Sequence, residues 1–576
     1  MVKILRTFYS FVLYKRKLIF VFFILLVVIS SILYSLNPVF YRMFVDNIPS
    51  LNENKLLQIL LYYMLIRILA VIFDMASFWV GDILLFNSEA ESRIVIFKKV
   101  QDLDFAFHSE KSTGSLISAF KRGDSAYVSF FHDIHHKILS VIVSFGVMIY
   151  FFLGLDKQVV FLILLSFVIT IVAAKFLIKN NVNKRSKFNS EEDKISGIIT
   201  DNLINFETVK LFSKEKWEEN KLRESFLHWK KALWGFGNSF RVIDATMGVI
   251  INTSIFLILY ITVKQSVNLK LDIGDFVLIT GFLSTFFPKL WELVWGSRDL
   301  AKYYVDIQKY FALLDYDIEI KDPTNPIYLK NVKGNIEFKN VSHSYKGGTK
   351  NAIKDMSLTI KPGESIAFVG RSGSGKTTIT KLIMRFFDPE KGKILIDNTD
   401  IKNFEKSNLR SFFGVVPQEA VLFNNTIGYN IGYGSEKIGD IKTIKTASKL
   451  ANISEFIDSL PEKYETNVGE RGIKLSGGQK QRLAIARMIM SNPDIIIFDE
   501  ATSHLDSESE KLIQDAFWKY AEGKTTIIIA HRLSTIKKAD KIIVMDKGQI
   551  KEIGSHDELI KNKNGIYFKL SKLQNK

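Results

Sequence analysis

"SIAFVGRSGSGKTTITKLIMRFF", residues 365 to 387, decides how the second half of the chain folds. Ile366 to Val369 form a short apolar run that reads as a buried strand. Gly370, Arg371, Ser372, Gly373, Ser374 and Gly375 break it, and Lys376, Thr377 and Thr378 open a helix. The spacing fits G-x-x-x-x-G-K-[ST], a loop whose backbone N–H groups wrap phosphates. Glycine lets the backbone come close to the oxyanions. In such a loop the lysine, here Lys376, reaches the β and γ oxygens, and the Thr377 hydroxyl ligates Mg²⁺. The helix start adds unpaired N–H groups and the positive end of a dipole.

A second helix start of similar make-up lies downstream in "KLSGGQKQR", residues 474 to 482. Two glycines and a serine again leave free N–H groups, so one chain carries two anion-attracting loops. Around them stand further residues suited to phosphate chemistry. "DIIIFDE" (494 to 500) is an apolar strand ending in two acids: Asp499 suits a Mg²⁺ shell and Glu500 the polarisation of an attacking water. "IIIAHR" places His531 just past a strand's C-terminal end, where open α/β sheets bind ligands, and a γ-phosphate contact is its expected role. Gln418 follows the apolar run of "VVPQE", and Tyr345 is an aromatic available to stack on a base.

The first 300 residues have a different character. "KLIFVFFILLVVISSILYSL" (17 to 36) is long enough to cross a bilayer. It is longer than a signal peptide's apolar core, and no small-residue cleavage site follows it. Further spans read as 56 to 86, 134 to 155, 158 to 178, 242 to 264 and 274 to 296. The N-terminus and the connections 87–137 and 175–241 carry 5, 7 and 14 Lys and Arg, against five in the three alternate loops. The positive side is cytoplasmic, so both termini are expected in the cytosol. The long cytosolic connections keep helical periodicity, which predicts helices reaching well beyond the bilayer. Their tips, near His108 to Ser115 and Asp201 to Lys210, are candidates for contact with a cytosolic domain. Arg67, Asp74, Asp82, Asp244 and Glu292 lie within or at the ends of spans, where charge is costly and marks either ion pairs between helices or a substrate path. Arg67 and Asp74, seven apart, share a helical face. Trp291 and Trp295 read as an interface belt, with ligand contact the alternative, and Pro288 as a kink in the last span.

The chain's 77 Lys and Arg against 60 Asp and Glu give a net charge of +17. Such a balance suits nucleic acid or an anionic membrane face. The charges sit between apolar runs, which favours the membrane. The absence of cysteine excludes disulfides, thiolate metal sites and cysteine catalysis. Neither an internal repeat nor a low-complexity tract is evident. Helical periodicity stops in "LDYDIEIKDPTNPIYLKNVKG" (314 to 334), which contains Pro323 and Pro326. The expected organisation is multidomain. An all-α six-helix membrane domain (1–315) is followed by a linker (316–335). An α/β P-loop ATPase domain (336–576) completes it, with a helical subdomain and an antiparallel β edge.

Taken together these residues resemble the half-transporters of the ATP-binding cassette exporters, and the resemblance covers the whole chain. "LSGGQ", Leu475–Ser476–Gly477–Gly478–Gln479, matches that family's signature loop. Gln418 matches its Q-loop, His531 its switch histidine and Tyr345 its adenine-stacking aromatic. "TNVGERG" matches the segment that senses the membrane domain, with Glu470 in the corresponding place. "SHLD" matches the D-loop through Ser503, Leu505 and Asp506, while His504 departs from the small residue usual there. The resemblance implies ATP and Mg²⁺ as cofactors, with Thr377, Gln418 and Asp499 around the metal. It also implies a sandwich of two cassettes, in which the P-loop of one chain and the signature loop of the other grip one nucleotide. A homodimer is expected, since both half-sites look intact; a heterodimer is the alternative.

The expected function is ATP-driven export of a lipid or drug-like amphipathic compound across the cell membrane, with no nucleic-acid partner. The alternative is a glutathione- or metal-conjugate exporter of the mitochondrial type, which "DNLINFETVKLF" (201 to 212) and "GVVPQEAVLFNNTIGYNI" (414 to 431) resemble. Against it, "INTSIFLIL" (251 to 259) and "STFFPKLWELVWG" (284 to 296) lack that group's polar thiol-peptide contacts. Peptide export is a further option, without an N-terminal peptidase-like domain. A cassette ATPase acting on DNA or ribosomes would need no spans. A nucleotide-gated channel would not need Glu500.

Overall fold

A computed structural model describes residues 2–111, 113–155, 157–268, 270–345, 351–436, 438–469, 472–499, 507–530 and 532–574. Contacts within the chain divide it into two units. The first is Met1–Leu103 with Phe107–Asp317, and the second is Asp104–Ala106 with Ile318–Lys576.

The first unit is helical. Among the described residues six helical stretches are long and apolar enough to cross a membrane: Lys17–Ser50, Glu53–Asp102, Ala119–Leu153, Lys157–Ile204, Glu215–Val267 and Ile273–Asp315. The stretch Glu215–Val267 has 53 residues. About 20 residues cross the hydrocarbon core, so some 30 remain, roughly 45 Å of helix beyond it. The first stretch breaks at Leu36, just before Pro38, and a new helix runs from Asn37 to Asn47. Pro288 sits inside the sixth.

Small hydroxyl residues sit where the helices touch. Ser35 Oγ donates to Ser144 Oγ at 2.9 Å, and Asn181 Nδ2 to Ser239 Oγ at 2.7 Å, both buried. Small side chains allow close approach, and in lipid such bonds satisfy groups that no water reaches. The two tryptophans of the last stretch pack against neighbouring helices. Trp295 stacks on Phe240 at 5.5 Å beneath the Arg298 guanidinium, and Trp291 packs in the bundle near Gly248.

The second unit is built on two sheets. One is antiparallel, with order β2-β1-β4-β5: β1 Ile336–His343, β2 Ile353–Ile360, β4 Lys391–Ile396 and β5 Thr399–Asp400. The other has order β10-β9-β3-β8-β7-β6. Its strands are β3 Ser365–Gly370, β6 Phe413–Val416, β7 Ile495–Asp499, β8 Thr525–Ile529, β9 Lys541–Asp546 and β10 Gln549–Gly554. Five of these run parallel, and only β10 is antiparallel to its neighbour. Parallel strands must be covered on both faces, which explains the unbroken apolar runs. Ile366 and Phe368 of β3 pack on one side with Phe338 and Ile394 of the antiparallel sheet. Ala367 and Val369 pack on the other with Leu483 and Ile485 from a helical layer.

The stretch expected as a linker, 316–335, belongs from Ile318 onward to this second unit. Ile320 and Val332 are buried, and the Val332 N–H donates to Asp494 Oδ2 at 2.8 Å.

Candidate functional site: the nucleotide cradle

The register of the parallel sheet gathers one end of the site. Phe368 of β3 is level with Ile529 of β8, Ile529 with Asp499 of β7, and Phe498 of β7 with Val416 of β6. Four strands therefore finish at nearly the same height. Neighbouring strands are about 4.8 Å apart, so Asp499 lies roughly 10 Å across from the end of β3. Beyond these ends come Gly370 and its loop, Gln418 two residues past β6, and Ala530 after β8.

The loop after β3 feeds helix α1, Lys376–Ile383. Gly375 caps it at φ +102°, and a Cβ there would lie 2.5 Å from the Ala352 carbonyl oxygen, so only glycine fits. Three features fit a polyphosphate. Among the described residues Ser374 Oγ is buried with no hydrogen-bond partner. The Lys376 ammonium donates to the loop's own Gly370 and Arg371 carbonyls, at 2.8 and 3.1 Å, and phosphate oxygens are stronger acceptors for it than neutral carbonyls. Arg371, Ser372 and Thr377 are exposed at the mouth, while Thr378 turns inward and shares a 3.1 Å hydrogen bond with Tyr345 Oη. Tyr345 stands edge-on to His343 and Phe387, each at 5.3 Å, and keeps 36% of its surface exposed for stacking.

Among the described residues no group of three or more His, Cys, Asp or Glu gathers to hold a metal. This suits Mg²⁺ bound to nucleotide, which takes one or two carboxylates and completes its shell with water and phosphate oxygens. Of the residues that the resemblance assigns to the metal, Thr377 is exposed at the mouth of the loop, Gln418 follows β6 and Asp499 ends β7.

The second cradle has its own local logic. Ser476 caps helix α2, Gly477–Met490. Its Oγ accepts from the Gln479 N–H at 3.3 Å, and its own N–H donates to Gln479 Oε1 at 2.8 Å. This capping box fixes the Ser-x-x-Gln spacing on folding grounds alone. Leu475 packs against the core, and Ser476 and Gly477 face outward. A Cβ on Gly478 would lie 2.7 Å from Ser509 Oγ, so this glycine permits close packing.

Sequence reasoning passed over two links between α2 and the segment after β6. Buried Gln481 donates to the Gln418 carbonyl at 2.7 Å. Arg487 donates to Val421 O at 3.1 Å and to both oxygens of Asn430 at 2.8 Å, and burial lowers its pKa. Neither residue stands out in the sequence, where both read as part of a helix's polar surface.

Several expected residues, Glu500, Asp506 and His531 in the site with Glu470, Ser503, His504 and Leu505 beside it, lie outside the described residues.

Near the first expected contact tip, Asp104–Ala106 groups with the second unit, while Ser112 and the side chains of residues 113–115 within His108 to Ser115 lie outside the described residues. The Phe105 ring lies 5.2 Å from Phe386 and 6.0 Å from Phe387, with Lys381 Nζ 5.0 Å above it. The Asp104 carboxylate accepts from the Glu319 and Ile320 N–H groups at 2.6 and 3.3 Å. His108 instead bonds the Val100 carbonyl at 3.0 Å, within the first unit. The second tip forms a short helix, Phe206–Leu211, with Phe206 and Leu211 exposed.

The family model for the ABC transporter transmembrane region matches residues 20–290, and the ABC transporter model matches residues 353–503. The chain is 37% identical over 488 residues to ATP-binding cassette sub-family B member 6 of Mus musculus, covering 83% of this chain and 57% of that one. It thus spans little more than half the length of that relative. It is 34% identical to an ATM1-type heavy metal exporter of Novosphingobium aromaticivorans, covering 82% and 78% of the two chains. A bacterial Atm1-family ABC exporter solved with ATP bound superposes with a TM-score of 0.88 at 32% identity, over 97% of this chain and 99% of that one. The second unit is accordingly a domain that binds ATP with Mg²⁺.

Proposed function

Since this chain belongs to the ABC transporter family, as a half-transporter with one cassette fused to one transmembrane domain, we propose that it couples ATP hydrolysis to export. The working unit is a dimer of two such chains, most simply two identical ones. Lys376 and the α1 N-terminus of one protomer and Ser476 with the α2 N-terminus of the other hold one nucleotide. Glu500 orients and deprotonates the water, and His531 senses the γ-phosphate. The bound Mg²⁺ neutralises developing charge on the phosphates. The assembly sits in a membrane with both termini in the cytosol, as the Lys and Arg balance of its loops requires.

For the substrate, the likeness over nearly the whole chain to an Atm1-family exporter moves the choice from a lipid or drug to a metal or thiol-peptide conjugate. That likeness is the observation that carries the proposal. The test is the ATPase rate of purified protein in lipid, titrated with glutathione conjugates and metal–glutathione complexes against dyes and lysolipids. Stimulation by conjugates alone is expected. Stimulation by dyes or lysolipids alone returns the choice to a hydrophobic compound.

A further inference from the structure

The helix Val2–Val12 is amphipathic, yet its apolar side is already used inside the protein. Ile4, Phe8 and Val12, four residues apart, are buried. The Phe8 ring packs on Tyr127 at 4.6 Å and on Phe130 at 5.1 Å, and Tyr9 Oη shares a 3.2 Å hydrogen bond with His135 Nε2. A helix lying on a membrane normally turns such a face into lipid. Here that face packs on the bundle, and what points outward is basic: Lys3 and Arg6 are exposed. Asp315 neutralises Lys3 at 2.8 Å. The chain then turns at 13–16 and enters the first spanning stretch at Lys17.

Lys15, Arg16 and Lys17 stand consecutively at that turn, and the first carboxylate of the sequence is Asp46. Among the described residues neither Arg6 nor any of these three forms an ion pair. Lys15 and Lys17 are exposed, and Arg16 is half-buried, its Nη1 without a hydrogen-bond partner among the described residues. Arg16 gives the helix Lys17–Ser35 no side-chain cap, and the first turn of that helix holds no acid. Its unpaired N–H groups therefore add to the positive potential. Beyond the cations the surface changes at once. No charge follows Lys17 until Arg42, and Leu18, Val21, Phe22 and Leu25, on one helical face, are each more than half exposed. The cations thus stand at headgroup level beside an apolar stripe suited to acyl chains. Lys15 also has φ +55°, a left-handed conformation that glycine adopts freely and lysine does not. Folding alone favours glycine there, so the backbone bears a cost to present this side chain.

We propose that the turn at 14–17 binds one anionic phospholipid of the membrane, its phosphate held by Arg16 with Lys15 and Lys17 and its chains lying along the stripe at 18–25. The leaflet is the cytosolic one on the orientation proposed above. The binding itself needs neither that orientation nor export.

The test titrates phosphatidylglycerol or phosphatidylcholine of equal chain length into the full chain in non-ionic detergent and counts bound lipids by native mass spectrometry. Each Lys or Arg close to an anionic head strengthens binding about fivefold. The first phosphatidylglycerol per chain should therefore bind at least about tenfold more tightly than the first phosphatidylcholine. Lys15→Gly, Arg16→Gln and Lys17→Gln should each weaken it about fivefold, and the triple variant should bring the two lipids within about twofold. Lys15→Gly separates charge from folding: glycine suits the turn, so the unfolding temperature in phosphatidylcholine nanodiscs should not fall while phosphatidylglycerol binding does. Lys55→Gln, at the opposite end of the membrane, should leave the preference unchanged. Glycerol 3-phosphate at equal concentration should not displace the lipid; displacement would mark a site for free phosphate and overturn the lipid assignment. Equal binding of the two lipids by the wild type, or an undiminished preference in the triple variant, overturns the proposal. The titration contains no ATP, so a failure of the export reading, seen in transport and ATPase assays, would leave this result standing.

Discussion

Phe105→Ala should uncouple transport from hydrolysis. Phe105 is 38% exposed, so its ring is only partly covered, and what covers it is specific: two phenylalanine rings and the Lys381 ammonium. Aromatic pairs are worth about 0.5–1.5 kcal/mol each, and a partly exposed cation–π contact about 0.5–1 kcal/mol. The three contacts together hold residues 104–106 on the second unit by roughly 2–3 kcal/mol. At 1.4 kcal/mol per factor of ten, their loss weakens that seat about 30- to 140-fold. The mutation leaves the loop after β3 and the cap of α2 untouched, so ATP should still bind. In proteoliposomes, substrate moved per ATP hydrolysed should fall at least about fivefold, while basal ATPase stays within about twofold. Phe105→Tyr keeps the ring and should retain coupling. Wild-type stoichiometry in Phe105→Ala would refute the reasoning, because the seat would then bear no force.

Glu500→Gln should bind ATP yet lower turnover by about 10²–10⁴-fold, the usual share of a positioned base; more than half the wild-type rate removes Glu500 from that role. A head-to-tail dimer should be trapped by a cysteine pair in this cysteine-free chain. Ser374 is buried, so the better choice is exposed Ser372→Cys with Leu475→Cys. With ATP, Mg²⁺ and an oxidant a covalent dimer should appear on a non-reducing gel, since the bond needs Cα atoms within roughly 7 Å; an internal bridge in a monomer would contradict the sandwich. His343 is pushed below its usual 6.5 by burial, so the unfolded chain binds the proton more readily. Its contribution is complete above pH 6.5 and is lost as the pH falls from there through its folded value. Acid should therefore lower the unfolding temperature of the wild type more than that of His343→Phe, and parallel pH curves would exclude this group.

Where one residue type in one spacing has a single physical solution, the sequence was legible. The loop at 370–377 needs glycines and a lysine between a strand and a helix, and the six apolar stretches need only length. The capping box in "LSGGQ" is as local as either. What the sequence concealed depends on distance in the fold. Phe105 was missed because a tip is sought by polarity and helical break, whereas this contact to Phe386, Phe387 and Lys381 is made by an aromatic. Gln481 and Arg487 look like the polar side of a helix until the fold buries them against carbonyls of the segment after β6. The contacts of Trp295 with Phe240 and Arg298 were likewise invisible in the sequence, because they join separate helices.

The buried tie between α2 and Gln418 bears on why one chain carries two incomplete cradles. On the proposed arrangement Gln418 stands on the metal side of the chain's own nucleotide, whereas Ser476 serves a nucleotide held by the partner. Gln481 joins the two through one 2.7 Å hydrogen bond, and Arg487 adds three more between the same elements. A shift of Gln418 toward a bound metal would therefore draw on α2, and through it on the cradle presented to the other site. Two sites wired in this way would influence each other's closure. Their coupling is reciprocal, as any linkage of binding free energies must be. The same residues that complete each site thus give the dimer a reason to close as one.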